Sequence, residues 1–222
     1  MAVPLALLFA KIMSHIFSFH KLFTGLFWVA DGLSNQSFKS LTENTFVTTE
    51  SGFGDIMETK FDNLPLLKYL EDHGVTLKDL LDTALELYIP HPGVETREKA
   101  LELFKDGFYE ALTDVNVSVL EVACFRAEED AQAGRVPLLP AEQFKGRPGL
   151  IVDELLGMTI ANYIAGSRGI FEFIRYDQSK PGILRKLGPI ANDAIGGLIA
   201  GVSSRIYSGA LEKQKLEESE KK

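Results

Sequence analysis

Two segments of the sequence repeat one pattern, an aspartate followed by small residues at every fourth position. The segment LIVDELLGMTIANYIAG contains Asp153, Gly157, Ala161 and Ala165, and the segment ANDAIGGLIAG contains Asp193, Gly197 and Gly201. Residues four apart lie on one face of an α-helix. Because each glycine in a helix interior costs on the order of 1 kcal/mol relative to alanine, such a face indicates a close approach by a second backbone. The pattern predicts two tightly packed helices that bring Asp153 and Asp193 near each other.

The remaining sequence shows helical spacing of apolar residues and no strand pattern. Thr76 and Asp79 form a capping box before a run of leucines at helical spacing, and Gly134 is typical of a helix C-terminus. No alternation of apolar and polar residues and no internal repeat is present. We therefore predict an all-α fold, a single multi-helix bundle over residues 57–212, followed by a charged, frayed tail over residues 213–222.

The first 56 residues differ from the rest. Residues 1–33 are strongly apolar but are interrupted by two lysines and two histidines, and residues 34–56 are rich in serine, threonine and glycine. A spanning helix needs about 20 apolar residues, and a central lysine costs about 2.5–3.5 kcal/mol. We predict no clean transmembrane span and interpret residues 1–56 as an apolar N-terminal extension with a linker, either a membrane-surface anchor or a wrongly assigned start upstream of Met57.

Charge and cysteine content narrow the class of protein. The formal net charge is −8, which argues against a nucleic-acid partner held by a basic surface. The single cysteine, Cys124, excludes an intramolecular disulfide and a thiolate-cluster metal site. We predict a cytoplasmic protein, with membrane association through residues 1–33 if that extension is present.

Several apolar side chains are predicted to lie in the core. Cys124 stands in the apolar pattern VSVLEVACF, and Phe171, Phe173 and Tyr176 follow helical spacing. We expect all four to be structural.

Acidic residues cluster in the second half of the sequence. Two carboxylates in a partly buried cleft repel each other unless a cation or a proton intervenes. Asp153 and Asp193, together with Glu154 and Asp177, would form an oxygen-rich set suited to Mg²⁺. The same acids would also be explained as helix N-caps and surface charges, and spacing does not decide between the two interpretations.

Three ordered blocks in this region, LIVDELLGM, YDQSKPGIL and ANDAIGGLIAG, resemble the phosphatidylglycerophosphatase A superfamily. Asp153 and Glu154 match the first acidic pair of that family, Asp177 and Lys180 match its Asp-x-x-Lys-Pro block, and Asp193 matches the second acid of its third block. The resemblance implies an all-α bundle of that type and Mg²⁺-dependent hydrolysis of a small phosphorylated substrate.

The resemblance also implies roles for particular residues. The metal would be held by Asp153, Asp177, Asn192 and Asp193. The catalytic set would be Asp153, Glu154, Asp177, Lys180 and Asp193. The substrate would be bound by Arg175, Lys180 and His91.

Two positions depart from the family pattern. Asn192 stands where the family usually has an aspartate, so the site has one negative charge fewer, although the amide oxygen can still bind a metal. Arg175 lies two residues before Asp177, whereas the lipid phosphatases usually place an arginine three residues before; in a helix this rotates the side chain by about 100°. Both departures weigh against direct transfer of the lipid activity.

The substrate expectation comes from the segments LYIPHPGVET and YIAGSRGIFEFIRYDQSKPGIL, which are most similar to the archaeal α-ribazole phosphatase (CobZ) branch. That branch implies removal of phosphate from α-ribazole 5′-phosphate, or from adenosylcobalamin 5′-phosphate, during assembly of the cobalamin nucleotide loop. Two alternatives stay open, a phosphatidylglycerophosphate phosphatase of phospholipid synthesis and a non-enzymatic helical interaction protein. The small-residue faces also leave a homodimer open.

Overall fold

The structure, a computed structural model, describes residues 60–145 and 149–220 of the 222-residue chain. Within these residues it forms a helical bundle without β-strands, which confirms the predicted all-α fold. The α-helices are α1 (Pro65–Asp72), α2 (Leu77–Glu86), α3 (Arg97–Thr113), α4 (Val115–Gln132), α5 (Ala141–Phe144), α6 (Val152–Ala165), α7 (Ser167–Ser179) and α8 (Pro189–Glu220), and a 3-10 helix covers Gly182–Lys186. The interpretation of residues 1–56 as an extension lies outside the described residues.

Short polar residues start three of the helices where their side chains can accept backbone hydrogen bonds. Thr76 accepts from the backbone N–H of Asp79, and the Asp79 carboxylate accepts in return from Thr76, which confirms the predicted capping box at α2. The Thr96 side chain accepts from the backbone N–H of Lys99 at the start of α3, and the Asp114 side chain caps α4. These starts are therefore determined locally.

Helix α8 is the centre of the bundle. It packs against α3, α4, α6 and α7, and almost every residue from Ile190 to Ser204 is buried. The large apolar side chains that surround this half of α8 include Phe104, Phe108, Phe173 and Tyr176. Packing around α8 therefore holds α3, α4, α6 and α7 at fixed positions relative to its first turns.

The faces of small residues on α6 and α8 pack directly against each other, as predicted. A Cβ atom added at Gly197 would lie 2.3 Å from the carbonyl oxygen of Gly157, and one added at Gly157 would lie 2.5 Å from the carbonyl oxygen of Asp193. Further along, a Cβ atom at Gly201 would lie 2.7 Å from that of Ile164. The two backbones are therefore so close that these positions admit no side chain.

Three further expectations can be compared with the structure. Cys124, Phe173 and Tyr176 are buried, but Phe171 is 74% exposed, so its assignment to the core is wrong. Helix α8 continues to Glu220 instead of fraying after residue 212, since lysine, glutamate and glutamine are good helix formers. Among the described residues, no helix combines the length and the apolar character needed to cross a membrane.

Candidate metal centre

Three helix ends meet at one cleft. The first turn of α6 contributes Asp153 and Glu154, and the last turn of α7 contributes Asp177. Lys180 is the residue directly after the end of α7. The first two turns of α8 contribute Asn192 and Asp193. The cleft has a volume of about 640 Å³ and is lined by these six side chains and by Gln132, Lys145, Lys186, Leu187, Gly188 and Pro189. The cleft therefore contains all five residues of the predicted catalytic set and the predicted metal ligand Asn192.

Three carboxyl groups within the cleft are close enough to share one cation. One oxygen each from Asp153, Glu154 and Asp193 lies within 4.8 Å of the others. Asp153 Oδ1 and Glu154 Oε2 are buried and have no hydrogen-bond partner among the described residues. Buried carboxylate oxygens without a partner are costly, and carboxylate oxygen is the ligand that Mg²⁺ prefers. The donor set and its orphaned oxygens thus fit a divalent cation.

The environment of the cleft changes the acidity of two of these groups. Burial, together with the adjacent Glu154 carboxyl, raises the pKa of Asp153 to about 7. Burial also raises the pKa of Asp193 to about 6, although the hydrogen bond and the charge of Lys180 act in the opposite direction. Both carboxyl groups therefore keep a proton to a higher pH than an exposed aspartate does, because burial disfavours the charged form.

Lys180 ties α7 to α8 at the edge of the cleft. Its Nζ atom lies 2.6 Å from Asp177 Oδ1 and 2.5 Å from Asp193 Oδ1, and it also donates to Asn192 Oδ1. The residue adopts the left-handed conformation with φ of 43°, which costs a non-glycine residue about 1–2 kcal/mol. This conformation ends α7 and turns the ammonium group back toward α8.

A buried glutamate from another helix caps the start of α8. Glu128 of α4 is 5% exposed, and its Oε2 atom accepts from the backbone N–H groups of Ile190 at 2.8 Å and Ala191 at 3.2 Å. A Cβ atom at Gly188 would lie 1.8 Å from Glu128 Oε1, so only glycine leaves room for this carboxylate. Glu128 therefore positions the helix start that presents Asp193.

Sequence reasoning missed Glu128, although one signal was available. The Gly188-Pro189 start of α8 has no serine, threonine, aspartate or asparagine at the capping position. Such a start indicates that its free N–H groups are satisfied from elsewhere in the fold.

Two residues predicted to bind substrate do not line the cleft. Arg175 Nη1 donates to Glu172 Oε1 at 2.7 Å, and its Nη2 donates to the carbonyl oxygen of Leu87 at 3.0 Å. His91 lies in the connector before α3, where its ring packs edge-on against Tyr207 with centroids 5.7 Å apart. In their place the cleft contains Gln132, Lys145 and Lys186, which no sequence motif indicated.

Comparison with solved structures places the chain in a class of all-helical proteins. The crystal structure of low temperature requirement C protein from Listeria monocytogenes matches with a TM-score of 0.54 and 25% identity, over 69% of this chain and 96% of that chain. A protein of unknown function from Bacillus stearothermophilus shares the fold with a TM-score of 0.53 and 23% identity, over 64% of this chain and 91% of that chain. No family model matches the sequence.

A sequence relative gives the family. The chain is 35% identical over 132 residues to "Uncharacterized protein MJ1330" of Methanocaldococcus jannaschii, and the match covers 57% of this chain and 99% of that protein. The chain belongs to the same protein family as this relative.

Proposed function

We propose that the protein is a Mg²⁺-dependent phosphomonoesterase of the phosphatidylglycerophosphatase A superfamily. The observation that carries the proposal is the meeting of Asp153, Glu154 and Asp193 oxygens within 4.8 Å, two of them buried and without a partner. The sequence resemblance supports the same assignment, because it implies Asp153 and Asp193 as metal ligands and Glu154 as a catalytic residue. We take these three carboxyl groups as the ligands that would hold Mg²⁺.

The roles of the residues in hydrolysis follow from their positions. Mg²⁺ bound there would neutralise the carboxylates, polarise the phosphoryl group and make a water molecule more acidic. Glu154 would accept a proton from the attacking water through the carboxylate oxygen that does not bind the metal. Asp177 is not among the carboxyl groups that meet within 4.8 Å, and Lys180 contacts both Asp177 and Asn192, so we assign these two residues to holding that ammonium group rather than the metal.

For the substrate we propose α-ribazole 5′-phosphate or adenosylcobalamin 5′-phosphate. Support comes from the sequence likeness to the archaeal α-ribazole phosphatase branch and from the departures at Arg175 and Asn192, which weigh against the lipid activity. A cytoplasmic location, contact of residues 1–33 with a membrane surface and a homodimer stay predictions.

The lipid substrate remains a second candidate because of one feature next to the cleft. Leu138, Ile151, Val152 and Leu155 are exposed apolar residues, and three of them surround the first turn of α6, which contributes Asp153. Leu138 and Val152 also line a mostly apolar cavity of about 370 Å³. Such a surface would suit the apolar part of a phospholipid.

The test is phosphate release by the full-length protein with Mg²⁺, with α-ribazole 5′-phosphate and phosphatidylglycerophosphate offered side by side. Turnover of the ribazole alone supports the cobalamin assignment, and turnover of the lipid alone moves the protein to phospholipid synthesis. Turnover of neither contradicts both and favours a non-enzymatic helical interaction protein.

A pair of variants connects turnover to the metal site. Asp193→Asn should lower Mg²⁺ affinity and abolish turnover, because it removes a buried ligand. Asp82→Asn is the matched control, since Asp82 is an exposed aspartate that pairs with Lys78 far from the cleft residues in sequence. Equal Mg²⁺ affinity in the two variants would contradict the assigned ligand set.

A further inference from the structure

The ammonium group of Lys180 has no proton left for a phosphate. A lysine ammonium has three N–H donors. All three have acceptors in the structure, on Asp177, Asn192 and Asp193. Lys180 is therefore an internal cation that joins α7 to α8, and an anionic substrate needs positive charge from elsewhere in the cleft.

Two other lysines line the same cleft, Lys145 after α5 and Lys186 at the end of the 3-10 helix. Within the described residues, neither ammonium group lies within salt-bridge distance of a carboxylate or forms a hydrogen bond, although the charge of Lys186 also acts on Asp79 of α2. Both side chains are exposed. Their donors are thus available to a ligand, in contrast to those of Lys180.

The charge balance of the cleft favours an anion once a divalent cation is bound. Among the described residues, four carboxyl groups and three ammonium groups line it, so with all of them ionised this set carries one net negative charge. One divalent cation on the carboxylates reverses the sign. A phosphate monoester carries between one and two negative charges near neutral pH, and two free ammonium groups match that charge.

The backbone that carries Lys186 is anchored firmly. The N–H of Gly182 donates to Glu86 Oε2 at 2.8 Å, and the N–H of Ile183 donates to Thr83 Oγ1 at 3.0 Å. Arg185 extends the other way and pairs with Glu86 at 3.2 Å. Two adjacent side chains of this short helix therefore have different surroundings, because Arg185 pairs with Glu86 and Lys186 lines the cleft.

We propose that Lys145 and Lys186 bind the phosphate of the substrate, on the proposed function's assumption that the cleft takes a phosphate ester. The lysines would favour a terminal phosphate over a diester, because a diester carries a single charge. The assignment replaces Arg175, His91 and Lys180 as the substrate-binding set.

The test uses inorganic phosphate as the probe and the full-length protein in saturating MgCl₂, with affinity measured by titration calorimetry. Lys145→Gln and Lys186→Gln should each weaken phosphate binding about tenfold, the loss expected for one charge-assisted hydrogen bond. Arg185→Gln is the matched control, because it removes the same charge one residue away and outside the cleft lining. It should change the affinity by about twofold at most.

Two results would overturn the inference. One is unchanged phosphate affinity in both lysine variants, and the other is an equal loss in Arg185→Gln, which would indicate a general charge effect. Lys186→Arg keeps the positive charge and should retain most of the phosphate affinity. Thermal melting of each variant, followed by circular dichroism, separates a loss of binding from a loss of folding.

Failure of this inference and failure of the proposed function are distinguishable. Lost phosphate binding in the lysine variants of a protein that hydrolyses no phosphomonoester supports the inference and removes the proposed function. Turnover with an unchanged KM in both lysine variants supports the function and removes the inference. Absence of phosphate binding by the unmodified protein overturns the inference.

Discussion

The close contact between α6 and α8 predicts that Gly197→Ala destabilises the protein, although alanine is the better helix former. The new Cβ atom would lie 2.3 Å from the carbonyl oxygen of Gly157 and 3.0 Å from its carbonyl carbon. Both are backbone atoms, which cannot rotate away as the end of a side chain can. The helices would have to separate by about 1 Å to restore an ordinary van der Waals distance.

The magnitude follows from two opposing effects. Overpacking of a close-packed core costs about 1–3 kcal/mol, and a clash with backbone atoms belongs to the upper part of that range, about 2–3 kcal/mol. The better helix propensity of alanine offsets about 1 kcal/mol. We expect a net loss of about 1–2 kcal/mol in the free energy of unfolding, which lowers the melting temperature by about 2–8 °C in a protein of this size. Because separation of the helices also moves Asp153 away from Asp193, Mg²⁺ affinity should fall in the same variant.

Two glycines of the same helix provide matched controls for thermal and urea unfolding. A Cβ atom at the neighbouring Gly196 would lie 3.5 Å from the Phe173 ring, an ordinary contact, and one at Gly209 would have nothing within 4 Å. Gly196→Ala and Gly209→Ala should therefore be as stable as the unmodified protein or more so. If Gly197→Ala proved as stable as Gly209→Ala, our account of the α6–α8 contact would be refuted.

Three further predictions concern buried or paired carboxyl groups. Glu121 is fully buried without a partner among the described residues, and burial raises its pKa to about 8, so the folded state keeps a proton that the unfolded chain releases near pH 4.5. The free energy of unfolding should therefore fall as the pH rises from about 4.5 to about 8, by up to about 1.4 kcal/mol per pH unit. Urea unfolding of Glu121→Gln across that range should lack this slope. Parallel pH profiles of the variant and the unmodified protein would contradict the assignment. Glu128→Ala should lower the free energy of unfolding, measured with urea, by about 2 kcal/mol, because the N–H groups at the start of α8 lose their acceptor. Glu128→Gln keeps an acceptor oxygen and should lower it less. Equal losses in the two variants would argue against a capping role. Asp177→Asn should lower turnover strongly without loss of fold, because a neutral amide pairs less strongly with Lys180 than a carboxylate does and so holds it less firmly against Asp193. It should leave Mg²⁺ affinity within about threefold of that of the unmodified protein. Unchanged turnover would remove Asp177 from the mechanism.

Much of the fold could be predicted because it depends on neighbours along the chain. The capping box at Thr76 and Asp79 and the glycine end of α4 require only residues within one helical turn. The prediction failed at Phe171, whose helical spacing does not tell which face of α7 the bundle covers. A periodic pattern identifies a face, and packing decides what that face meets.

The sequence by itself determined that the fold is all-α and that two helices must pack closely, because capping signals and the spacing of glycines after Asp153 and Asp193 are local properties of the chain. Only the tertiary structure decided the partners of the charged groups. Glu128 reaches the start of α8 from 62 residues away, and Lys145 and Lys186 meet the acids in one cleft. Such contacts depend on the angles and distances at which whole helices pack, which no short stretch of sequence records.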